Sequence, residues 1–154
     1  PVQTVRALAS LGNGGILVTP HLVRAVKYDT GVTRTLNWGE GEQILRPETS
    51  TAISRMLTKV VDTTLAEGTL KMEHYNLAAK TGTAQIANPA GGGYYADRYL
   101  HSFFGYFPSF APKFVVFLFA VEPTGASFSS QTWAQPFGAL VKFLINYYNI
   151  PPDR

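Results

Sequence analysis

The sequence predicts an α+β domain in which helices flank a mostly antiparallel sheet, and three observations support this prediction. One amphipathic helical pattern precedes the most strand-like part of the chain, and a second follows it. Three β-prone stretches lie between these patterns, joined by a Gly-rich loop and by a short turn. With 154 residues the chain matches one ordinary domain and is long enough to bury a core.

The first part of the chain predicts a short helix followed by a pair of strands. Val5, Leu8 and Ala9 have helical spacing, and the glycines of residues 12–15 end that helix. Leu22–Tyr28 and Val32–Trp38 are β-prone and are separated by a turn signal. A clear helix then begins at Pro47 and is expected to end at residues 67–68. Its apolar positions are Ile53, Met56, Leu57, Val60 and Val61.

The second part predicts three strands and a final helix. Leu77–Ile86 and Tyr99–Pro108 should form a hairpin around a long flexible loop, Ala87–Arg98. The continuous apolar run within Lys113–Glu122 is typical of a strand that is covered on both faces. Gln131–Asn149 carries one apolar stripe and predicts a helix that packs on the sheet.

Composition excludes several classes of function. The net charge is only +3 and the basic residues form no stripe, so no nucleic-acid partner is expected. The chain has no cysteine, which removes disulfides and a cysteine nucleophile. The apolar run Phe114–Val121 is far shorter than the roughly 20 residues of a membrane-spanning helix. His21, His74 and His101 lack metal-ligand spacing, so a metal site is not expected.

The residues Lys80-Thr81-Gly82-Thr83 form the most informative motif. Strand alternation places Thr81 and Thr83 on one face, where two hydroxyls could bind one carboxylate, and Lys80 and Gly82 on the other. Gly82 would let another backbone approach closely. K-T-G is one signature of the penicillin-recognising serine enzymes, together with S-x-x-K and S-D-N, and no serine here fits either of those. The structural alternative is a lysine that protects an edge strand beside a glycine bulge.

From residue 9 to residue 153 the chain resembles the C-terminal part of the transpeptidase domain of class B penicillin-binding proteins, which cross-link peptidoglycan. The end of the chain is most similar to the cell-division branch of that family. The resemblance implies a partial serine β-lactamase/D,D-transpeptidase-like fold, with residues 1–154 as the C-terminal portion of one domain. The similar segments are Ser10–Val23, Val60–Val61, Glu67–Thr69, Leu77–Ile86, His101–Pro108, Pro112–Val116 and Tyr147–Asp153.

The resemblance also implies roles for individual residues. Lys80 would support catalysis, and the hydroxyls of Thr81 and Thr83 would bind the terminal carboxylate of D-Ala-D-Ala or of a β-lactam. The backbone N–H of Thr83 would form half of an oxyanion hole. The family usually has glycine where this chain has Ala79. The substrate-binding residues implied in this way are Thr81, Gly82, Thr83, Ala84 and Gln85, along which the peptide would add as a strand.

The implied reaction is acyl transfer through a serine located upstream of Pro1, so this chain alone is expected to be inactive. The implied partners are peptidoglycan stem peptides of a lipid-linked precursor, β-lactams, and other division or elongation proteins. The parent protein would lie on the outer face of the bacterial cytoplasmic membrane, held by an N-terminal anchor outside this chain. No cofactor is implied.

Two alternative interpretations remain at the level of sequence. The nearer one is a serine β-lactamase or a penicillin-sensor domain of the same fold, and rapid hydrolysis of the acyl-enzyme would indicate a lactamase. The more distant one is a non-catalytic envelope interaction module in which K-T-G is incidental. In that case substitutions at Lys80 or Thr83 would leave ligand binding unchanged.

Overall fold

The computed structural model describes all residues from Pro1 to Arg154. The helices are α1 (Val2–Ala9), α2 (Pro47–Thr63) and α3 (Ser129–Tyr147), with a 3-10 turn at Leu65–Gly68. The strands are β1 (Ile16–Leu17), β2 (Ala25–Lys27), β3 (Thr33–Thr35), β4 (Glu42–Gln43), β5 (Ala78–Ala87), β6 (Tyr94–Phe107) and β7 (Phe114–Val121). No helix is both long enough and apolar enough to cross a membrane.

The main sheet has three antiparallel strands in the order β5-β6-β7. β6 is central, so β5 and β7 are the two edges of this sheet. The pairs β1-β4 and β2-β3 form two small antiparallel sheets elsewhere. The predicted α+β arrangement, with helices before and after an antiparallel sheet, is therefore confirmed.

Helix α3 covers one face of the main sheet. Phe137 of α3 is fully buried, and its ring centroid lies 4.7 Å from that of Phe103 on β6. Gly105 lets the helix come this close, because a Cβ atom there would lie 2.5 Å from Cζ of Phe137. Val141 and Ile145 extend the buried stripe along α3 and complete the core on this face.

Helix α2 joins the sheet through buried hydroxyl groups. The hydroxyl of Tyr106 on β6 lies 2.9 Å from Oγ of Ser54, and Oγ1 of Thr58 lies 2.8 Å from Oγ of Ser109. Burial raises the pKa of Tyr106, and the hydrogen bond to Ser54 opposes that shift. These bonds satisfy the polar groups that pack beneath α2, since an unpaired buried hydroxyl would be costly.

Two strand predictions need correction. Strand β6 begins at Tyr94 and not at Tyr99, because Tyr94 pairs with Ala87 beyond a shift in register. The expected long loop is therefore short. Strand β7 is not covered on both faces, since Phe119 is 44% exposed and Val121 is 58% exposed.

The end of helix α2 and a small strand pair also differ from the prediction. The helix ends at Thr63, before residues 67–68, because Ala66 and Glu67 adopt φ values of 48° and 57°. These left-handed conformations cannot continue a right-handed helix. The pair β1-β4 was not predicted, since two residues in each strand are too few to show a periodicity.

Candidate active site

Strand β5 changes character along its length. Ala78 and Ala79 are fully buried against the core, whereas Lys80 and the residues from Thr83 to Gln85 are exposed. The outer edge of β5 has no neighbouring strand within this chain. The K-T-G motif therefore lies where a core strand becomes an accessible edge, which is the geometry that addition of a peptide strand requires.

The predicted alternation of side chains along β5 is confirmed. Thr83 pairs with the buried His101 of β6, and it shares the α3 face with Thr81. Lys80 and Gly82 face the other side of the sheet. The motif thus presents its hydroxyls to one face and its ammonium group to the other.

A cleft of about 560 Å³ lies on the face opposite α3. Its floor is largely apolar, and Lys80 is its only charged side chain. Such a concave, mostly apolar cavity with a few polar groups is typical of a ligand site. The lining residues are Lys80, Thr81 and Gly82 of β5, Leu100, Ser102 and Phe104 of β6, Phe117 and Phe119 of β7, and Pro1, Thr4 and Leu8 at the start of the chain.

The space that Gly82 leaves is occupied by a cross-strand serine. A Cβ atom at Gly82 would lie 2.6 Å from Oγ of Ser102, its pairing partner on β6. The Ser102 hydroxyl instead donates a hydrogen bond of 3.3 Å to the Gly82 carbonyl. This glycine therefore accommodates a hydroxyl within the sheet, while close approach of a second backbone stays a prediction.

Lys80 is held only by a bond to its own strand. Its Nζ donates a hydrogen bond of 2.9 Å to the carbonyl of Thr81, and the side chain is exposed. No carboxylate lies within salt-bridge distance of this ammonium group. The lysine therefore keeps donors for a ligand that enters the cleft.

The peptide between Gly82 and Thr83 has a defined direction. Its carbonyl accepts hydrogen bonds from the hydroxyls of Ser102 on β6 and Ser129 on α3. This peptide is trans, so its N–H points away from that carbonyl. The N–H of Thr83, the predicted oxyanion donor, is therefore directed toward the open edge of β5.

The Thr83 hydroxyl is already engaged by the start of α3. It accepts a hydrogen bond of 3.1 Å from the backbone N–H of Ser129, and its Oγ1 lies 2.8 Å from Oγ of that serine. Sequence reasoning missed Ser129, which belongs to no motif. Its place at the first turn of a helix was the available signal, because N–H groups there have no partner within the helix.

The remaining predicted residues continue the exposed edge. Ala84 is exposed, and Gln85 donates a hydrogen bond of 3.1 Å from Nε2 to the carbonyl of Tyr95 on β6. Near the start of β6, Arg98 forms a salt bridge with Glu122, the residue that follows β7. This pairing raises the pKa of Arg98 and lowers the pKa of Glu122.

His101 lies inside the fold beside the motif. The residue is fully buried, and its Nδ1 lies 2.9 Å from Oγ1 of Thr132 on α3. Its Nε2 has no hydrogen-bond partner. The chain contains no group of three metal-binding side chains close enough to hold an ion.

The chain belongs to the penicillin-binding protein transpeptidase domain family. The family model described as "Penicillin binding protein transpeptidase domain" matches residues 1–141. The family resemblance seen in the sequence is thereby confirmed. Relatives named PbpB and FtsI support the class B, cell-division type, and the solved structures support the fold.

Curated relatives agree with this membership. The chain is 30% identical to penicillin-binding protein PbpB of Mycolicibacterium smegmatis over 99% of its own length and 25% of that protein. It is 31% identical to stage V sporulation protein D of Bacillus subtilis over 88% of its own length and 21% of that protein. The chain therefore spans about a quarter of the length of the curated relatives that it matches.

Solved structures share the fold. The apo form of penicillin-binding protein 3 from Mycobacterium tuberculosis matches with a TM-score of 0.84 and 25% identity, over 99% of this chain and 36% of that one. The complex of that protein with ampicillin matches with a TM-score of 0.83 and 22% identity, over 99% and 35% of the two chains. The likeness to the ampicillin complex is a likeness of fold.

Proposed function

We propose that this chain forms one wall of the active site of a peptidoglycan D,D-transpeptidase, whose serine nucleophile is supplied by sequence that precedes Pro1. The observation that carries the proposal is the position of the K-T-G motif on the open edge of β5, beside a cleft that Lys80 lines. Family membership and the relatives named D,D-transpeptidase support the same reaction class.

The proposed reaction begins with the stem peptide lying along the outer edge of β5. The upstream serine attacks the carbonyl of the D-Ala–D-Ala bond, and the terminal D-Ala leaves as an amine. The N–H of Thr83 donates to the oxygen on which negative charge develops. An amine of a neighbouring stem peptide then attacks the carbonyl of the acyl-enzyme. This attack breaks the ester bond to the serine and forms the peptide cross-link.

The other residues of the strand bind the substrate in this proposal. Lys80 supplies positive potential at the cleft and a donor toward the serine of an upstream S-x-N motif, the general form of S-D-N. Thr81 binds the terminal carboxylate, and Thr83 joins it when its hydroxyl turns away from Ser129. Ala84 and Gln85 continue the strand that the peptide extends. A β-lactam acylates the same serine, and ampicillin and aztreonam complexes of structural neighbours are consistent with this ligand class.

The proposed cellular setting follows the family. The complete protein lies on the outer face of the cytoplasmic membrane, where it meets lipid-linked precursor and nascent peptidoglycan. A role in division, with partner proteins of the division machinery, is favoured by the relatives named FtsI and PbpB.

The first test is to translate the reading frame upstream of Pro1. The proposal predicts S-x-x-K followed by S-x-N, behind a single membrane helix. A frame that opens near Pro1 and encodes neither motif would overturn it.

The second test labels the complete protein with a fluorescent penicillin. The proposal predicts a stable covalent adduct on the upstream serine and no adduct on the isolated 154-residue chain. Rapid loss of the label would indicate a β-lactamase instead, and labelling of the isolated chain would contradict the assigned position of the nucleophile.

A further inference from the structure

We propose that Ser129 is a positioning residue that fixes and polarises the peptide carrying the oxyanion donor, an inference that rests on the function proposed above. Ser129 is the first residue of α3, it is fully buried, and it contacts β5 at two consecutive residues. No other side chain of α3 hydrogen-bonds to the K-T-G motif.

The protons of this cluster can be assigned from donor and acceptor chemistry. The carbonyl of Gly82 can only accept, so Ser129 Oγ–H donates to it. A serine has a single hydroxyl proton, so the contact of 2.8 Å between the two hydroxyls is a donation from Thr83 to Ser129. The Thr83 hydroxyl also accepts the backbone N–H of Ser129 at 3.1 Å.

The acceptor of the Ser129 proton is the carbonyl of the peptide whose N–H belongs to Thr83. A hydrogen bond to a peptide oxygen polarises the whole group and strengthens its N–H as a donor. It also holds the planar peptide in one orientation, with the N–H directed at the open edge of β5. Ser102 donates to the same oxygen from the opposite face at the longer distance of 3.3 Å.

The same assignment bears on binding of the substrate carboxylate. Because the Thr83 proton is directed at Ser129, this hydroxyl has no proton left for a carboxylate while the cluster is intact. The Thr81 hydroxyl has no such partner within the chain, so it is the available donor of the pair. Removal of the Ser129 hydroxyl should therefore weaken the oxyanion donor while freeing Thr83 to bind a carboxylate.

The test uses the complete transpeptidase with Ser129→Ala, and with Ser130→Ala as a matched control. Ser130 is the next residue of α3, and its hydroxyl makes no hydrogen bond. For Ser129→Ala we expect acylation by a penicillin to slow about tenfold, a fraction of the effect of removing a whole oxyanion donor. Noncovalent affinity for the penicillin before acylation should stay equal or improve. Ser130→Ala should match the unsubstituted protein in both acylation rate and affinity.

Infrared spectroscopy of the acyl-enzyme reads the donor directly. A weaker oxyanion donor moves the ester carbonyl band to higher wavenumber. A general loss of packing would also lower the affinity for penicillin, so a shifted band with retained affinity indicates the donor. Ser129→Cys keeps a weak S–H donor of similar size, so its band should lie between those of serine and alanine. The cysteine variant carries the test if the alanine variant does not fold.

Two negative results have different meanings. An unchanged band and acylation rate in Ser129→Ala, beside normal labelling of the unsubstituted protein, would overturn the role of Ser129 and leave the proposed function intact. A complete absence of labelling in the unsubstituted protein would overturn the proposed function, and with it the reaction that Ser129 is inferred to assist.

Discussion

The two faces of the three-stranded sheet differ in how completely they are covered. On the α3 face, Phe103 and Phe137 are fully buried and the helix lies directly on Gly105. On the other face, Phe119 is 44% exposed and a cleft of about 560 Å³ lies beside Lys80. One strand, β5, contributes to both faces, which shows how the core on one side fixes the backbone that the other side presents to a ligand.

The largest expected effect comes from a substitution in the core between α3 and the sheet. Phe137→Ala should lower the free energy of unfolding by about 3–5 kcal/mol, because it removes a fully buried ring and leaves a cavity against Phe103. Phe143→Ala is the matched control on the same helix, since Phe143 is 59% exposed. The control should cost about 0.5 kcal/mol. Urea denaturation of the two variants would measure both values, and similar costs would contradict the assignment of the core.

A pair of glycine substitutions compares the faces directly. Gly105→Ala should cost about 1–3 kcal/mol, because its Cβ would lie 2.5 Å from a ring atom of Phe137 and 2.9 Å from the carbonyl of Ala78. Gly82→Ala should cost less, because its Cβ meets only the Ser102 hydroxyl, which can rotate away. The second change should instead slow penicillin acylation of the complete protein, since the added methyl group enters the cleft. Equal losses of stability would argue against this contrast.

Helix α2 offers a test through pH. The raised pKa of Tyr106 means that the folded state holds this proton more tightly than the unfolded state does. Its contribution is complete below the unfolded pKa of about 10 and is lost as the pH rises through the higher folded pKa. Tyr106→Phe should therefore reduce the loss of stability above pH 10, at a cost of about 1 kcal/mol near neutral pH for the bond to Ser54. Thermal melts between pH 7 and pH 11 would measure this difference. The same decrease in melting temperature above pH 10 in both proteins would contradict the prediction.

The smallest expected effect concerns the exposed salt bridge between Arg98 and Glu122 at the rim of the sheet. The lowered pKa of Glu122 makes a contribution that is complete above its unfolded pKa and is lost as the pH falls through the lower folded pKa. Glu122→Gln should leave stability almost unchanged at neutral pH, because exposed ion pairs contribute little. Acid titration of the melting temperature should show a slightly flatter slope, and a large drop at neutral pH would be inconsistent with an exposed pair.

Much of this contrast was visible in the sequence. The apolar spacing from Trp133 to Tyr148 predicted a core-facing helix, and α3 buries Phe137, Val141 and Ile145 from that stripe. Period-two alternation predicted that Lys80 and Thr81 lie on opposite faces, because a strand reverses its side chains at every residue. Both predictions rest on patterns among residues that are close together in the sequence.

The misses depend on residues that are distant in sequence. Ser129 contacts Thr83 across 46 positions, and no local pattern encodes that contact. The continuous apolar run of β7 predicted burial on both faces, but burial depends on which element covers each face, and Phe119 remains 44% exposed. The start of β6 was placed too late, because the pairing of Tyr94 with Ala87 extends a strand through polar residues.

The decisive measurement for the role of the K-T-G strand is the rate of penicillin acylation of the complete protein carrying Lys80→Ala. Lys71→Ala is the matched control, an exposed lysine outside the cleft. If β5 forms one wall of a transpeptidase site at this cleft, Lys80→Ala should slow acylation by about 100-fold or more, as loss of a major electrostatic group does. Lys71→Ala should leave the rate unchanged. Equal rates in both variants and the unsubstituted protein would overturn the proposed function, because the K-T-G motif would then have no part in the chemistry.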